Sequence, residues 1–367
     1  MPVPSGRDPD ELRRGLASWL ATKVAADEEP VVGELATPDS TGYSSETLIF
    51  DASWTEGGEP RTESLVARMG PEMDRYPVFR SYDLELQWRA IQVVGERTDV
   101  PVPPTRWLET DEGPLGAAFF VMDKVQGEVP PDVPPYTMGG WVVDAGAADR
   151  ERFERGAVGV IAGVHSITPA DADLSFLELA VEGDTALRRH VQDQHDYYEW
   201  CKPESGVVPL IEQTFDWLEE HWPADEGEPV MSWGDARVGN IMWRDFEPVA
   251  VFDWEMAGIA PREMALGWML FLHQFFQRLT VRYEMPGLPD LMEPDRLTGF
   301  YEEATGHRVH DLRFYEVYAA LRFAIISLRT SGRAAAEGEL PPAEDPADLI
   351  MFRPELEAML AGTYWDD

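Results

Sequence analysis

The sequence predicts an α+β protein of two lobes, in which a small antiparallel β-sheet lobe precedes a larger, mainly helical lobe. Apart from one helical pattern over residues 82–95, residues 31–122 carry short apolar runs separated by turn residues, which is typical of antiparallel strands. Beyond Gly127 and a proline-rich loop, almost every apolar pattern has helical spacing. We place the boundary after residue 125, which gives lobes of residues 1–125 and 126–367.

The composition is that of a globular protein with an acidic surface. The chain has 367 residues, and 44% of them are hydrophobic, which is enough to fill the cores of two lobes. A formal net charge of -38 would repel the phosphates of nucleic acid, so we expect no nucleic-acid partner. No apolar run reaches the roughly 20 residues of a membrane-spanning helix, and no membrane partner is expected.

The N-terminus and the cysteine usage favour the cytoplasm. Acids and prolines stand where a secretory signal would need an uninterrupted apolar core. Cys201 is the only cysteine, so an intrachain disulfide and a cysteine-based metal site are both excluded. We therefore expect a reducing, cytoplasmic setting.

The first lobe has two predicted helices and four predicted strands. The helices cover residues 9–25 and 82–95, and the strands cover residues 48–54, 63–69, 106–108 and 117–122. At about 100° per residue, Gln87 falls on the apolar face of the second helix and Glu85 points away from it. The second lobe has predicted helices over residues 147–166, 186–201, 207–221, 264–276 and 311–330.

The stretch of residues 230–255 carries the side chains with the clearest chemical meaning. Asn240 is followed by an apolar run, a polar turn and a second apolar run, a pattern that predicts a β-hairpin. The hairpin brings Asn240 and Asp253 to one end, with Asp235 on the loop just before. Two oxygen ligands for a hard cation and one further carboxylate are the equipment of Mg²⁺-dependent phosphoryl transfer. Arg237 would either approach a phosphate or another substrate anion, or pair with a neighbouring acid.

A polar loop in the first lobe is a candidate for covering the phosphates of ATP. Its glycine lets the backbone approach a ligand closely, and the loop lies directly before the first long strand. The ordinary alternative is a surface loop without a ligand. The candidate residues are Ser40, Thr41, Gly42, Tyr43, Ser44 and Ser45.

Three further positions of the first lobe would complete a nucleotide site. Arg68 ends the second long strand, where a permanent cation with a planar fork suits the α- and β-phosphates; the alternative is a surface arginine. If the second helix faces this strand, Gln87 is the inward partner of Arg68 through a hydrogen bond. In a bilobal kinase the connector that begins at Met122 would hold the adenine, chiefly through backbone groups of Asp123 and Val125.

Five blocks of sequence together resemble the aminoglycoside phosphotransferase family, whose fold is protein-kinase-like. The likeness covers about residues 30–330. Within the family, the chain most resembles the branch of actinobacterial and acyl-CoA-dehydrogenase-associated phosphotransferases, and mycobacterial members in particular. The blocks, in the family's order, are Ser-Thr-Gly-Tyr-Ser-Ser-Glu-Thr (40–47), Leu-Val-Ala-Arg (65–68), Val-Pro-Val-Pro (100–103), Phe-Phe-Val-Met-Asp (119–123) and Trp-Gly-Asp-Ala-Arg-Val-Gly-Asn (233–240).

The resemblance implies roles for the residues that match the family's motifs. Asp235 would accept or orient the proton of a substrate hydroxyl, and Asn240 and Asp253 would bind Mg²⁺. The chain also departs from the family. Trp233 stands where most members have histidine, so we expect packing to replace the histidine's bracing of the loop. The family has an aspartate three residues before the tryptophan of the helix that follows the hairpin. Here that tryptophan is Trp268 and the aspartate's position is Ala265, which leaves Glu263 as a candidate substitute.

The leading functional hypothesis is an ATP- and Mg²⁺-dependent kinase that phosphorylates a hydroxyl group of a small molecule. The unusual Arg68, Gln87 and Trp233 motivate a second hypothesis, a nucleotide-binding pseudokinase with a regulatory role. A third is an ATP-independent interaction protein with a decayed site. The acceptor remains open between an aminoglycoside, a macrolide, a hydroxyacyl-CoA thioester and another metabolite, because sequence does not show how the cleft residues are arranged.

Overall fold

The structure is a computed structural model that describes residues 6–37, 45–71, 77–341 and 343–366. The chain divides into two compact units. Unit 1 comprises Met1–Glu96 and Pro101–Gly127, and unit 2 comprises Arg97–Val100 and Glu128–Asp367. The sequence placed the boundary after residue 125, two residues before the main division, and gave no sign that residues 97–100 belong with unit 2.

Unit 1 is built on a five-stranded antiparallel sheet with the strand order β1-β2-β3-β5-β4. Its strands are β1 (Val31–Val32), β2 (Glu46–Glu56), β3 (Glu59–Met69), β4 (Thr105–Glu109) and β5 (Phe119–Asp123). The β2–β3 hairpin turns through Gly57 and Gly58, whose φ angles of 59° and 83° lie in the left-handed region that glycine adopts readily. All four predicted strands of this lobe are present. The two-residue β1 is too short for an alternation of apolar and polar residues to reveal it.

Two helices accompany the sheet, α1 (Pro9–Leu20) and α2 (Leu84–Arg97). The Asp8 side chain caps α1 by accepting a hydrogen bond from the backbone of Asp10. Apolar side chains of α1, including Trp19, share one buried cluster with sheet residues such as Phe119. The predicted helix over residues 9–25 ends at Leu20, because Lys23 N donates to Leu20 O at 2.8 Å and the chain turns there.

Unit 2 contains eight α-helices within the described residues, together with two pairs of short antiparallel strands, β6 with β9 and β7 with β8. The strands are β6 (Val230–Ser232), β7 (Ile241–Arg244), β8 (Glu247–Val251) and β9 (Gly258–Ala260). The helices are α3 (Trp141–Asp144), α4 (Ala147–Val164), α5 (Ala186–Ser205), α6 (Pro209–Glu220), α7 (Arg262–Arg282), α8 (Pro294–Thr305), α9 (Leu312–Ala336) and α10 (Arg353–Ala361).

The centre of unit 2 is the packing of α7 against α9. Every residue of α7 from Glu263 to His273 is buried, which explains why this helix is apolar on all sides. The two backbones approach closely at Gly267, where an added Cβ would lie 2.7 Å from the carbonyl carbon of Tyr315. A larger side chain at this position would push the helices apart.

The five predicted helices of the second lobe and the predicted hairpin are all present. The sequence missed α3, α8, α10 and the β6–β9 pair. Strands of three residues and helices of four or nine residues carry few periodic positions, so the patterns of β6, β9, α3 and α10 are weak. Helix α8 is longer, but only Leu297 and Tyr301 on it are buried, which gives it a narrow apolar face. No helix among the described residues is long and apolar enough to cross a membrane.

Candidate active site

The candidate catalytic loop follows β6 in unit 2, and its backbone conformation depends on Gly234. Gly234 has a φ angle of +90°, and an added Cβ would lie 1.9 Å from the carbonyl oxygen of Met256. Only glycine fits this combination of dihedral angle and close approach. The loop therefore runs directly beside the segment that follows β8, and the next residue after the glycine is Asp235.

Trp233 braces the loop from behind. The indole is buried, its Nε1 donates to Phe252 O at 2.8 Å, and its ring lies 5.9 Å from that of Trp254. The sequence led us to expect packing alone in place of the family's histidine. The structure adds a hydrogen bond, so Trp233 ties the loop to the strand end that precedes Asp253.

The Asp235 carboxylate accepts hydrogen bonds from three side chains. Trp268 Nε1 on α7 donates to Oδ1 at 2.6 Å, while Asn240 Nδ2 donates to Oδ2 at 2.7 Å. Arg237 Nε also donates to Oδ2, at 3.2 Å. The side chain of Asp235 remains 16% exposed, so it is held in one orientation and still reaches solvent.

The β7–β8 hairpin brings Asn240 next to Asp253, as predicted. Phe252 N donates to Asn240 O at 2.9 Å, which places the following Asp253 beside Asn240 along the backbone. The two residues of the hairpin turn, Asp245 and Phe246, have φ angles of 53° and 63°, which favour a tight turn of this kind. The predicted pairing of the hairpin's ends is confirmed.

Asn240 and Asp253 suit a hard divalent cation. The amide nitrogen of Asn240 donates both to Asp235 Oδ2 and, at 3.1 Å, to Asp235 O, which leaves its amide oxygen as the group directed elsewhere. Asp253 has a φ angle of 61°, a left-handed conformation that aspartate tolerates better than most residues. An amide oxygen and a carboxylate are ligands that Mg²⁺ prefers, so the donor set fits this ion.

Arg237 pairs with acids, which is one of the two alternatives left open by the sequence. Its Nη1 donates to both carboxylate oxygens of Asp132 at 2.8 Å, in addition to the contact with Asp235. Burial alone would lower the pKa of Arg237, but the charges of Asp132, Asp235 and Asp253 outweigh it and raise the pKa. Arg237 therefore stays cationic and links the catalytic loop to the proline-rich loop that carries Asp132.

Sequence reasoning missed three residues of this site: Trp268, Asp132 and Arg322. Arg322, on α9, lies over the Trp268 ring with its guanidinium carbon 4.5 Å from the ring centroid, and its Nη2 is 3.5 Å from Gly234 O. Asp132 and Trp268 lie 105 and 33 residues from the side chains they bind. No local pattern links residues that far apart; the only available signal was the family position of Trp268 itself.

Glu263 does not replace the family's aspartate at the catalytic loop. Its carboxylate is buried and accepts from His307 Nε2 at 2.8 Å, whereas Ala265 is simply packed in the core. The candidate substitute suggested by the sequence is therefore wrong. The group that reaches the loop from α7 is instead Trp268, which lies three residues after Ala265.

Three of the predicted nucleotide residues of unit 1, Arg68, Gln87 and Met122, lie on the elements expected for them. Arg68 is on β3 opposite Phe120 of β5, and the sheet places Met122 opposite Val66. Gln87 is buried on the inner face of α2, and its Nε2 has no hydrogen-bond partner within the described residues. The hydrogen bond from Arg68 to Gln87 stays a prediction.

The end of β5 shows which backbone groups are already used. Asp123 N donates to Pro104 O at 2.9 Å, and the Asp123 carboxylate accepts hydrogen bonds from the Arg106 guanidinium. Val125 follows two residues later and is partly exposed. Of the polar loop, Ser45 directly precedes β2, while Ser40, Thr41, Gly42, Tyr43 and Ser44 lie outside the described residues.

Comparison with family models decides the family. Residues 49–292 match the model of the phosphotransferase enzyme family (APH), which is more than half of the chain. The chain belongs to this family. The match contains the catalytic loop, the hairpin and Trp268, so this phosphotransferase carries its candidate site within the family's own region.

Curated relatives of this phosphotransferase are longer proteins. Probable acyl-CoA dehydrogenase IBR3 of Arabidopsis thaliana is 24% identical over 321 residues, which are 79% of this chain and 37% of that protein. Acyl-CoA dehydrogenase family member 11 of Homo sapiens is 26% identical over 202 residues, which are 54% of this chain and 24% of that protein. The chain thus matches little more than a third of the length of these relatives, or less.

Solved structures confirm the predicted α+β, bilobal, protein-kinase-like fold. A Ralstonia eutropha JMP134 protein, provisionally named an aminoglycoside phosphotransferase, has a TM-score of 0.64 and 21% identity, covering 96% of this chain and 98% of that one. The aminoglycoside phosphotransferase APH(4)-Ia, in complex with ADP and hygromycin B, has a TM-score of 0.54 and 15% identity, covering 95% and 98%. The macrolide 2'-phosphotransferase MphH of Brachybacterium faecium has a TM-score of 0.52 and 16% identity, covering 94% and 97%.

Proposed function

We propose that this phosphotransferase is an ATP- and Mg²⁺-dependent kinase that transfers the γ-phosphoryl group to a hydroxyl group of a small molecule. The observation that carries the proposal is the Asp235 carboxylate, fixed by three donors and joined through Asn240 to the hairpin that ends at Asp253. This is the arrangement that an in-line transfer needs, because positioning and charge neutralisation supply most of the rate.

Asp235 orients the acceptor hydroxyl and takes its proton. A carboxylate has roughly four lone-pair positions, and the described residues fill three of them. The position that is left is on Oδ1, the oxygen bound by Trp268. The loose transition state requires only a late proton transfer, so Asp235 acts chiefly by holding the hydroxyl in line.

Asn240 and Asp253 would hold Mg²⁺, which neutralises the developing charge on the phosphates when it is bound. In unit 1, the groups proposed for the nucleotide are the loop of residues 40–45, Arg68, the backbone of Val125 and the backbone of Asp123 apart from its N–H, which donates to Pro104 O. Arg68 is the residue suited to the phosphates, because its fork can bind two oxygens at once. These cations matter in a chain with 68 acidic and 30 basic residues.

The acceptor is proposed to be a metabolite such as a hydroxyacyl-CoA thioester, with an antibiotic as the alternative. The relatives named acyl-CoA dehydrogenases align with 54–79% of this chain and support the first class. Neighbours solved with hygromycin B support the second only through the fold. A screen of hydroxyacyl thioesters, aminoglycosides and macrolides by ATP consumption separates the two.

Asp235→Ala tests the proposal. We expect the variant to bind ATP with Mg²⁺ as the wild type does. Its rate of phosphoryl transfer should fall at least about 100-fold, since Asp235 acts mainly in the transfer step. Calorimetric ATP titrations with and without Mg²⁺, followed by turnover assays of both proteins, provide the measurement. Nucleotide binding without Asp235-dependent turnover would instead indicate a regulatory pseudokinase. ATP binding that does not depend on Mg²⁺ would contradict the metal role of Asn240 and Asp253.

A further inference from the structure

A second group of potential metal ligands lies away from the catalytic loop, in unit 2. Glu263 is the second residue of α7, and His307 and His310 lie between α8 and α9. The Glu263 carboxylate oxygen Oε1 is 2.8 Å from His307 Nε2 and 3.6 Å from His310 Nε2. One ligand atom from each of the three residues lies within 4.8 Å of the other two.

These distances match the coordination shell of a small transition-metal ion. With metal–ligand bonds of about 2.0 to 2.1 Å, the ligand atoms of a tetrahedral site are about 3.4 Å apart. The two measured separations lie on either side of this value. The contact with His307 is a hydrogen bond, whereas the contact with His310 is at ion-pair distance and too long for a hydrogen bond, so the two imidazoles surround one carboxylate oxygen without both being hydrogen-bonded to it.

The His310 ring is already oriented for a metal. His310 Nδ1 lies 3.2 Å from Asp311 Oδ2, so the carboxylate fixes this ring and leaves Nε2 facing Glu263. A metal-binding histidine usually donates its other ring N–H to a carboxylate, a backbone carbonyl or a water, and Asp311 supplies such a partner for His310. The backbone between the helices is held as well, since His307 N donates to Thr305 Oγ1 and Val309 N donates to Glu302 Oε1.

One of the three potential ligands is buried and the other two are partly exposed. Glu263 is 1% exposed, whereas the His307 and His310 side chains are 26% and 34% exposed. A cation would neutralise the buried carboxylate, and the two imidazoles leave a path from solvent and room for a water ligand. Two nitrogen ligands favour zinc or a similar ion over Mg²⁺, which prefers oxygen.

We propose that Glu263, His307 and His310 form a binding site for one Zn²⁺-like divalent ion, separate from the Mg²⁺ site of the catalytic loop. The bound ion would fasten the start of α7 to the segment that leads into α9. Trp268, which holds Asp235, lies five residues after Glu263 on the same helix. The proposed role is therefore structural, in fixing the helix that positions the catalytic carboxylate.

The test is zinc binding by the full chain after chelation and dialysis. With excess Mg²⁺ present, elemental analysis should find one Zn²⁺ per wild-type chain, and zinc should raise the thermal unfolding midpoint. His310→Gln and His307→Gln should each weaken zinc binding roughly 100-fold or more. Both histidines are partly exposed, so these variants are expected to fold.

The matched control is His195→Gln. His195 Nε2 lies 3.9 Å from Glu199 on α5, a histidine–glutamate pair that has no third ligand among the described residues. This variant should bind zinc as the wild type does. A second control, Asp253→Asn, should also keep its zinc ion, because the ion is not at the catalytic loop.

Cobalt adds a readout that does not depend on stability. Co²⁺ bound to Glu263 and two imidazoles in a four-coordinate site should give intense visible absorption in the wild type and in His195→Gln, and should not do so in His310→Gln. The proposal is overturned if the wild type binds no zinc in excess Mg²⁺, if His310→Gln and His307→Gln bind it normally, or if Asp253→Asn loses it.

Discussion

The decisive residue, Asp235, is positioned by side chains from different parts of the chain. Trp268 comes from α7, while Asn240 and Arg237 belong to the loop itself. Arg322 of α9 lies over the face of the Trp268 ring, so the indole is held at its face as well as at its Nε1 edge. The orientation of one carboxylate thus depends on the packing of two helices as well as on its own loop.

Trp268→Phe tests this dependence. Phenylalanine keeps an aromatic ring under Arg322 and removes the hydrogen bond to Asp235 Oδ1, a bond to a charged group worth about 1.5–3 kcal/mol. It also removes part of the buried indole, and the unfolding curve measures that loss separately. If that bond positions the carboxylate for transfer, kcat should fall about 10- to 100-fold while KM for ATP changes little. Steady-state kinetics and a urea unfolding curve provide the measurements.

Trp222→Phe is the matched control for this variant. Trp222 Nε1 also donates to a carboxylate, Glu226 Oε1 at 2.8 Å, at a place that the proposed mechanism does not use. This substitution should leave kcat unchanged. Equal losses of kcat in the two variants would show that Trp268 acts through general stability and not through Asp235.

At this scale the sequence revealed residues that are close together in the chain. Asp235, Asn240 and Asp253 stand in one short stretch whose hairpin pattern is strong, and the hairpin is confirmed. Asp132 and Trp268 contact the same loop from 105 and 33 residues away. Their contacts depend on the tertiary fold, and a lone acid in a proline-rich loop or a tryptophan in an apolar helix carries no sign of its partner.

At the scale of elements, α7 links the core of unit 2 to its chemistry. The helix is buried from Glu263 to His273, packs against α9 and presents Trp268 to the catalytic loop. Its apolar composition predicted a buried helix, but not which helix covers it, because burial on all sides leaves no amphipathic pattern. The close approach at Gly267 is likewise invisible in the sequence.

Gly267→Ala tests the α7–α9 contact. An added Cβ would lie 2.7 to 2.8 Å from backbone and side-chain atoms of Tyr315, where a methyl group cannot fit without moving a helix. We expect a loss of about 1–3 kcal/mol in the free energy of unfolding, measured by urea denaturation. Because α7 carries Trp268, kcat should fall as well.

Gly159→Ala supplies the comparison within the same unit. Gly159 lies on the exposed face of α4, and an added Cβ meets no atom within 4 Å. Alanine there should stabilise the protein by about 0.5–1 kcal/mol, because glycine loses more conformational entropy in a helix. Stabilisation by both substitutions would contradict the tight contact at Gly267.

At the scale of the molecule, composition and periodicity were sufficient to predict that a β-rich lobe precedes a helical lobe. They did not give the exact division between the two units. The chain carries a net charge of -38, yet unit 2 buries several ionisable groups whose state the sequence does not reveal. His165, His190 and His273 are all buried, and burial lowers their pKa values to about 3, 3 and 4. Helical spacing predicts only that such residues face inward.

These histidines make stability depend on pH in a defined direction. An unfolded histidine has a pKa of about 6.5, so between pH 6.5 and 4 the unfolded chain binds more protons than the folded one. The stabilisation is therefore complete above pH 6.5 and is lost as the pH falls through the folded pKa values, about 4 for His273 and about 3 for His165 and His190. Glu316 opposes this trend, because burial raises its pKa to about 7 and favours the folded state at lower pH.

His273→Gln isolates one histidine from these opposing effects. The side-chain oxygen of glutamine can replace His273 Nδ1, which lies 2.6 Å from the Tyr136 hydroxyl, and glutamine does not titrate. Whatever the variant's stability at pH 7.5, its free energy of unfolding should fall less steeply than that of the wild type between pH 6.5 and 4. Urea denaturation at several pH values measures both slopes. Parallel slopes would mean that His273 takes up its proton equally well in the folded and unfolded chains, and that its burial does not contribute to acid sensitivity.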